Sequence, residues 1–90
     1  MWEAARYGIV DIVKLLIEYG ADVNANGRNG KTLLMLAAMN GHSETAEILI
    51  EAGANVNAKD NDGITALMFA TERGCPDIVN ALIKAGANAE

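Results

Sequence analysis

Two sets of glycines recur along this chain at a constant spacing of 33 residues. The sets are Gly8, Gly41, Gly74 and Gly20, Gly53, Gly86. The second set opens near-identical segments, which read GADVNA at 20–25, GANVNA at 53–58 and GANAE at 86–90. Self-similarity at such a period indicates a stack of like units, each of which buries its apolar face only against a neighbour. We therefore predict a single repeat domain over 1–90, with a partial repeat at 1–26 and repeats at 27–59 and 60–90.

Each repeat carries the signals of two short helices. In the middle repeat, Thr32 is a candidate N-cap, because its hydroxyl can accept a free amide of the first helical turn. An apolar stripe at helical spacing follows, and Asn40-Gly41 ends it with a residue type that tolerates the left-handed conformation. A second helix is predicted over 43–51, with its glutamates outward, and Gly53 stops it.

Turn signals join these helices. Asn-Gly and Asp-Gly pairs before the first helices of the repeats at 27–59 and 60–90 are typical of tight, hairpin-like turns. In the last repeat Pro76 stands at the predicted first turn of the second helix, where its missing amide proton costs nothing. Each unit is thus predicted to be a turn, a helix, a tight loop and a second helix.

Three segments resemble the ankyrin repeat. They are DNDGITALMFA at 60–70, NGHSE at 40–44 and GADVNA at 20–25. The resemblance extends over the whole chain and is specific at this period. It implies an all-α solenoid of stacked helix-turn-helix units joined by hairpin-like turns. It also implies a non-catalytic protein–protein interaction module that binds a protein partner through its concave face and turn tips.

The chain departs from the family pattern in two respects. The family's Thr-Pro-Leu-His reads TLLM at 32–35 and TALM at 65–68. Because the usual histidine ties neighbouring loops, we expect Met35 and Met68 to fill space without forming those ties, which weakens the polar contacts between units. The second departure concerns polar capping repeats, which the family implies and this sequence does not show at either end. The alternative function is therefore a structural or self-associating fragment, natural or engineered, with open end faces.

Composition excludes several partner classes. The net charge of −5 argues against nucleic acid, since binding to phosphates needs clustered lysine and arginine. No run of 18 apolar residues is present, so we expect no membrane association. The N-terminus lacks the basic and apolar regions of a secretory signal, and the chain has a single cysteine, so an intracellular location is expected.

Candidate reactive sites fail on residue spacing. The acidic segment 60–63 resembles a calcium loop, yet the twelfth position, where a bidentate acid is needed, is Thr71, so a β-turn is favoured. His42 is the only histidine and has no second ligand at metal-binding spacing. Cys75 would need a histidine partner, and His42 belongs to another repeat. The segment 27–32 lacks the glycine spacing of a phosphate-binding loop. We predict no catalytic residue, metal or cofactor.

The family resemblance places a binding surface on the turn tips and the outward side of the first helices. The predicted partner-binding residues are Arg6, Tyr7, Arg28, Asn29, Lys31, Met39, Asn40, Asn61, Asp62, Ile64, Glu72 and Arg73. Five of the seven basic residues belong to this concave face, whereas the second helices are mostly acidic. Arginine and tyrosine are frequent interface anchors. The alternative is that these side chains are merely solvated.

Overall fold

Three pairs of helices form the fold in the computed structural model, which describes residues 2–87. The helices are α1 (Trp2–Tyr7), α2 (Val10–Glu18), α3 (Leu33–Met39), α4 (Ser43–Glu51), α5 (Ala66–Arg73) and α6 (Pro76–Lys84). A single 3-10 turn, Arg28–Gly30, precedes α3, and no strand occurs within 2–87. The all-α prediction is confirmed.

The helices are arranged in two layers. The first helices, α1, α3 and α5, pack side by side in sequence order, and so do the second helices, α2, α4 and α6. Each first helix also packs against the second helix of its own pair. The stack measures 34 × 25 × 21 Å. None of the helices in the described part of the chain has both the length and the apolar character needed to cross a membrane.

Alanine at one repeated position allows the first helices to approach each other. Ala4, Ala37 and Ala70 are spaced 33 residues apart, and all three are buried. Leu34 and Leu67, one repeat apart, are buried in the same core cluster. In the second layer Leu49 and Leu82 are fully buried. This repetition shows how each unit contributes the same few side chains to one continuous core.

The predicted helix starts and stops agree with the structure. The Thr32 hydroxyl accepts the amide proton of Met35 at 3.2 Å, and Thr65 does the same for Met68 at 3.3 Å. Gly41 has a φ of 72°, which supports the predicted end of α3. The predicted second helix over 43–51 matches α4, and its glutamates are exposed. Pro76 is the first residue of α6.

The expectation of weak polar contacts between units is wrong. Met35 does not bond to another loop, because its sulfur accepts the amide proton of Thr32 at 3.4 Å within its own helix start. Other groups join the units instead. The Asn24 side chain donates to the carbonyl of Gly53 at 3.1 Å and accepts from the amide of Asn55 at 2.6 Å.

This asparagine contact repeats along the stack. One period later, Asn57 donates to the carbonyl of Gly86 at 3.2 Å. The turns before the first helices are joined as well, since the amide of Asn61 donates to the carbonyl of Asn29 at 2.9 Å. The asparagines of the repeated segments therefore join neighbouring units by hydrogen bonds.

At each junction between units, a side chain of one unit forms a hydrogen bond to the carbonyl at the end of the preceding first helix. We call this bond a clamp, and the side chain that forms it differs between the two junctions. At the first junction, Nε2 of His42 lies 2.8 Å from the carbonyl oxygen of Arg6, which requires the proton on Nε2 because a carbonyl only accepts. At the second junction, Nη1 of Arg73 donates to the carbonyl of Met39 at 3.3 Å. Arg6 and Met39 are equivalent positions, but His42 and Arg73 are not.

In both clamps, the side chain that forms the hydrogen bond lies against a glycine of the preceding unit. A Cβ on Gly8 would lie 2.6 Å from Nδ1 of His42, and a Cβ on Gly41 would lie 2.6 Å from Nε of Arg73. Real Cβ atoms are essentially never so close to a neighbour, so each clamp needs glycine beneath it. Both glycines also have a positive φ, of 66° and 72°.

Candidate functional site

An open concavity of about 500 Å³ lies between α1, the turn at 28–30 and α3. Six of the predicted partner-binding residues line it: Arg6, Arg28, Asn29, Lys31, Met39 and Asn40. Four further residues line it that are not among the predicted partner-binding residues: Trp2, Glu3, Gly27 and Leu36. The structure thus brings half of the predicted residues together in one place.

The concavity has apolar walls because of local geometry. Leu36 and Met39 are three residues apart on α3 and therefore lie on the same side of that helix. Trp2 is half-buried and rests against Gly27, where an added Cβ would lie 3.1 Å from Cη2 of the indole. Glycine at this position therefore leaves room for the Trp2 ring. Asn40 donates to the carbonyl of Leu36 at 2.9 Å and so supports the end of α3.

Lys31 is held in place by an ion pair. Its Nζ lies 2.9 Å from Oδ2 of Asp60 and 5.2 Å from the centroid of the Phe69 ring. The Asp60 side chain is fully buried. The hydrogen bond from Lys31, with those from the backbone amides of Ile64 and Asp62, holds the pKa of the Asp60 carboxyl below its ordinary value. The positive charge of Lys31 is therefore neutralised by Asp60 of the same chain.

Two arginines at the concavity have no such partner. The Arg28 side chain is exposed and makes no ion pair or hydrogen bond with the residues that the structure describes. The guanidinium carbon of Arg6 lies 5.9 Å from the centroid of the Tyr7 ring, and Arg6 forms no ion pair within 2–87 either. These two guanidinium groups, together with the apolar walls, are the features available to a partner.

Six predicted residues lie outside the concavity: Tyr7, Asn61, Asp62, Ile64, Glu72 and Arg73. Tyr7 is 64% exposed beside Arg6. The backbone amide of Asn61 and the side chain of Arg73 form the contacts between units described above, and Lys31 joins two units through Asp60. Asp62 and Glu72 are exposed, whereas Ile64 is half-buried.

The segment at 60–63 is a turn, as the sequence favoured. Oδ1 of Asp60 accepts the amide protons of Asp62 and Ile64, both at 2.9 Å. Its carboxylate is thus bonded within the turn and to Lys31. Residues 2–87 contain no group of three or more histidine, cysteine or acidic side chains placed to hold a metal ion.

Helical spacing could have identified one of the missed residues. Leu36 precedes the predicted Met39 by three residues on a predicted helix, and this spacing places both side chains on one face. Trp2 was harder to identify, since its contact with Gly27 joins residues far apart in the sequence. Its repeat equivalent, Met35, is buried and gives no indication of a surface role.

The two ends of the stack expose a second kind of surface. Ile12 is 45% exposed on α2, although its equivalents Thr45 and Ile78 are buried against a preceding helix pair. At the opposite end Met68 is 42% exposed, whereas its equivalent Met35 is buried. Ile83, on α6, is also exposed. These side chains occupy positions that inside the stack form the contact between units.

Comparisons with known proteins agree with this architecture. A family model described as ankyrin repeats, in three copies, matches residues 1–90. The chain is similar to a rice protein (Oryza sativa subsp. japonica) named "Probable E3 ubiquitin-protein ligase XBOS33", with 54% identity over 41 residues, which is 46% of this chain. It is also similar to the ARF GTPase-activating protein Git of Drosophila melanogaster, with 47% identity over 43 residues, or 48% of this chain. These matches cover only 8% and 6% of the two relatives.

Proposed function

Because this chain belongs to the ankyrin repeat family, we propose that it is a non-catalytic module that binds a protein partner through the concavity between α1 and α3. Ankyrin repeats are protein–protein interaction modules and are generally non-catalytic. The proposal adds the surface used. Its main support is the combination of half-buried apolar side chains with two exposed arginines in one open depression.

This combination has the features of an interface centre. Binding energy at protein interfaces is concentrated in a few aromatic and arginine anchors beside apolar contacts. Trp2 and Met39 provide the apolar contacts, and Arg6 and Arg28 provide the anchors. Tyr7, exposed next to Arg6, extends the same surface. The second-helix layer offers instead the exposed glutamates of α4.

A matched pair of charge reversals tests the proposal. Arg28→Glu alters the concavity, and Lys84→Glu makes the same change of charge on α6, in the other layer. Proteins captured by the wild-type chain from the source organism should be retained by Lys84→Glu and lost by Arg28→Glu. Equal retention by both variants would place the binding surface elsewhere.

A second candidate function is head-to-tail association of copies of this chain. It is favoured by the exposure of Ile12 at one end and of Met68 and Ile83 at the other, since these positions form the contact between units inside the stack. In such an assembly, α2 of one molecule would pack against α6 of the next, as neighbouring second helices pack within the chain. Such a contact is heterologous and extends without closing.

Sedimentation velocity over a concentration series tests this second candidate. The wild-type chain should form larger species as its concentration rises, and Ile12→Glu should remove them. Glu47→Lys, on the exposed side of α4, is the control and should leave the association unchanged. A wild-type chain that is monomeric up to millimolar concentration contradicts the candidate.

A further inference from the structure

The geometry points to a specific kind of partner segment: a linear peptide in which a carboxylate side chain stands next to an apolar side chain. This inference rests on the proposed function and adds the chemistry of recognition. The apolar side chain would contact Trp2, Leu36 and Met39. The carboxylate would pair with the guanidinium groups of Arg6 and Arg28.

The size and shape of the concavity fit a peptide side chain. Its volume of about 500 Å³ lies within the range of small-ligand sites, and it is open to solvent on one side. Leu36, Met39 and Trp2 are each half-buried, so each still exposes apolar surface that a partner can cover. Covering such surface is the general source of association energy.

The local charge balance favours a single carboxylate. The concavity is lined by three cations, Arg6, Arg28 and Lys31, and by one acid, Glu3. The buried carboxylate of Asp60 neutralises Lys31 at 2.9 Å. The three cations are therefore opposed by two carboxylates, which leaves one net positive charge. The chain as a whole carries −5, so this depression differs in sign from the rest of the molecule.

The same balance disfavours polyanionic partners. A phosphate dianion or a nucleic-acid backbone would bring more negative charge than one net cation offsets, and Glu3 would repel it. A carboxylate carries a single charge and matches the planar, forked geometry of a guanidinium. Arg28 and Arg6 have no competing ion pair within 2–87, so neither must give up a partner to bind it.

Trp2 provides an intrinsic signal for binding at this place. It is the only tryptophan in the chain, and its half-buried indole lines the concavity. A peptide that enters the depression changes the solvation of the indole and therefore its fluorescence. A peptide that binds to the second-helix layer does not contact the indole. Binding and its location are thus measured in one titration.

The probe is a phage-displayed library of random short linear peptides, selected on the chain over residues 1–90. We expect the enriched peptides to share an aspartate or glutamate beside an apolar residue. Synthetic versions without tryptophan should change the Trp2 fluorescence. Replacing the shared acid by its amide should weaken binding by about ten-fold, as is typical when a charge-assisted hydrogen bond is lost.

Matched variants of this chain test which of its side chains the peptide carboxylate contacts. Arg28→Gln should weaken the acidic peptide by about ten-fold and should hardly affect its amide version, because both changes remove the same contact. Lys84→Gln removes the same charge from α6, in the other layer, and should leave both affinities unchanged. This control separates a direct contact from the effect of overall charge.

The outcomes distinguish the inference from the proposed function. Peptides that change Trp2 fluorescence but show no preference for an acid overturn this inference and leave binding at the concavity intact. Peptides that bind without affecting Trp2, and equally well to Arg28→Gln, overturn both. Enrichment of basic peptides over acidic ones, or no enrichment at all, also overturns the inference.

Discussion

One buried threonine hydroxyl lacks a hydrogen-bond partner among residues 2–87. Oγ1 of Thr45 is buried on α4 and has no hydrogen-bond partner among the described residues. Its repeat equivalents are Ile12 and Ile78, so alignment of the repeats already marks the position as apolar. An unpaired buried hydroxyl reduces stability, because folding removes its bonds to water without replacing them.

Thr45→Val should therefore raise the free energy of unfolding by roughly 1 kcal/mol. The matched control is Thr65→Val, which makes the same change at an N-cap. It should lower the free energy of unfolding by about 0.5–2 kcal/mol, because the bond to the amide of Met68 is lost. Urea unfolding of both variants measures the two effects, and a stability loss in Thr45→Val would contradict this account.

The buried carboxylate of Asp60 gives a pH dependence of known sign. Lys31 lowers its pKa in the folded state, so at acidic pH the unfolded state binds more protons. The resulting stabilisation is fully present above the unfolded pKa of about 3.9 and is lost as the pH falls below it toward the folded value.

Wild-type stability should thus fall more steeply below about pH 4 than that of Asp60→Asn or Lys31→Gln. Asp60→Asn removes the titrating carboxyl, and Lys31→Gln removes the largest contribution to its lowered pKa while leaving the bonds from the amides of Ile64 and Asp62. Thermal unfolding followed by circular dichroism from neutral to acidic pH is the measurement. Parallel curves for all three proteins would mean that Lys31 and Asp60 do not interact in solution.

At the scale of the helices, the sequence was most informative where its signals are local. The bounds of α4 and the Thr32 cap depend on neighbouring residues, and they were predicted correctly. The contacts between units were not predicted, since they join residues about 30 positions apart. Arg73 illustrates the limit. Its exposed position suggested a partner contact, and only the structure shows its bond to the carbonyl of Met39.

Alanine substitutions at three equivalent glycines can measure what these clamps contribute to stability. Gly8, Gly41 and Gly74 all follow a first helix and have similar φ values, between 66° and 77°. Each Gly→Ala change carries the cost of a left-handed residue, about 1–2 kcal/mol. At Gly74 nothing lies within 4 Å of the added Cβ, so this cost stands alone. At Gly41 and Gly8 the clamp must also move.

We expect the loss in unfolding free energy to increase from Gly74→Ala to Gly41→Ala to Gly8→Ala. The step to Gly41→Ala should be about 1 kcal/mol, the value of one lost hydrogen bond. Gly8→Ala should lower the free energy of unfolding further, because the His42 ring is rigid whereas the Arg73 side chain can rotate away. In an Arg73→Ala background, Gly41→Ala should cost no more than Gly74→Ala; an equal loss in all three single variants would contradict the clamps.

At the scale of the whole molecule, the same repeat position has different surroundings at the end and in the interior. Ile12 and Ile78 are equivalent, yet Ile12 is 45% exposed and Ile78 is fully buried. Because stability in a repeat stack is approximately a sum of neighbour contacts, identical changes at these positions should have unequal effects.

Ile78→Thr should lower the free energy of unfolding by about 2–3 kcal/mol, from lost apolar burial and a desolvated hydroxyl. Ile12→Thr should change it by no more than about 0.5 kcal/mol. The comparison requires dilute protein, so that association through the end faces does not contribute. Urea unfolding checks both, and similar losses would mean that the outer face of α2 is covered in solution.

The asparagine contacts have a consequence for how such a chain grows over generations. Asn24 with Gly53 and Asn57 with Gly86 form the same joint one period apart, and the middle repeat carries both the acceptor glycine and the donor asparagine. A tandem duplication of the middle repeat in the gene therefore inserts a unit that already carries both halves of its connector. The His42 and Arg73 clamps are not inherited in this way, because each belongs to one junction. Length can thus change in a single genetic event, whereas the individual fit of each junction has to be acquired afterwards by point mutation.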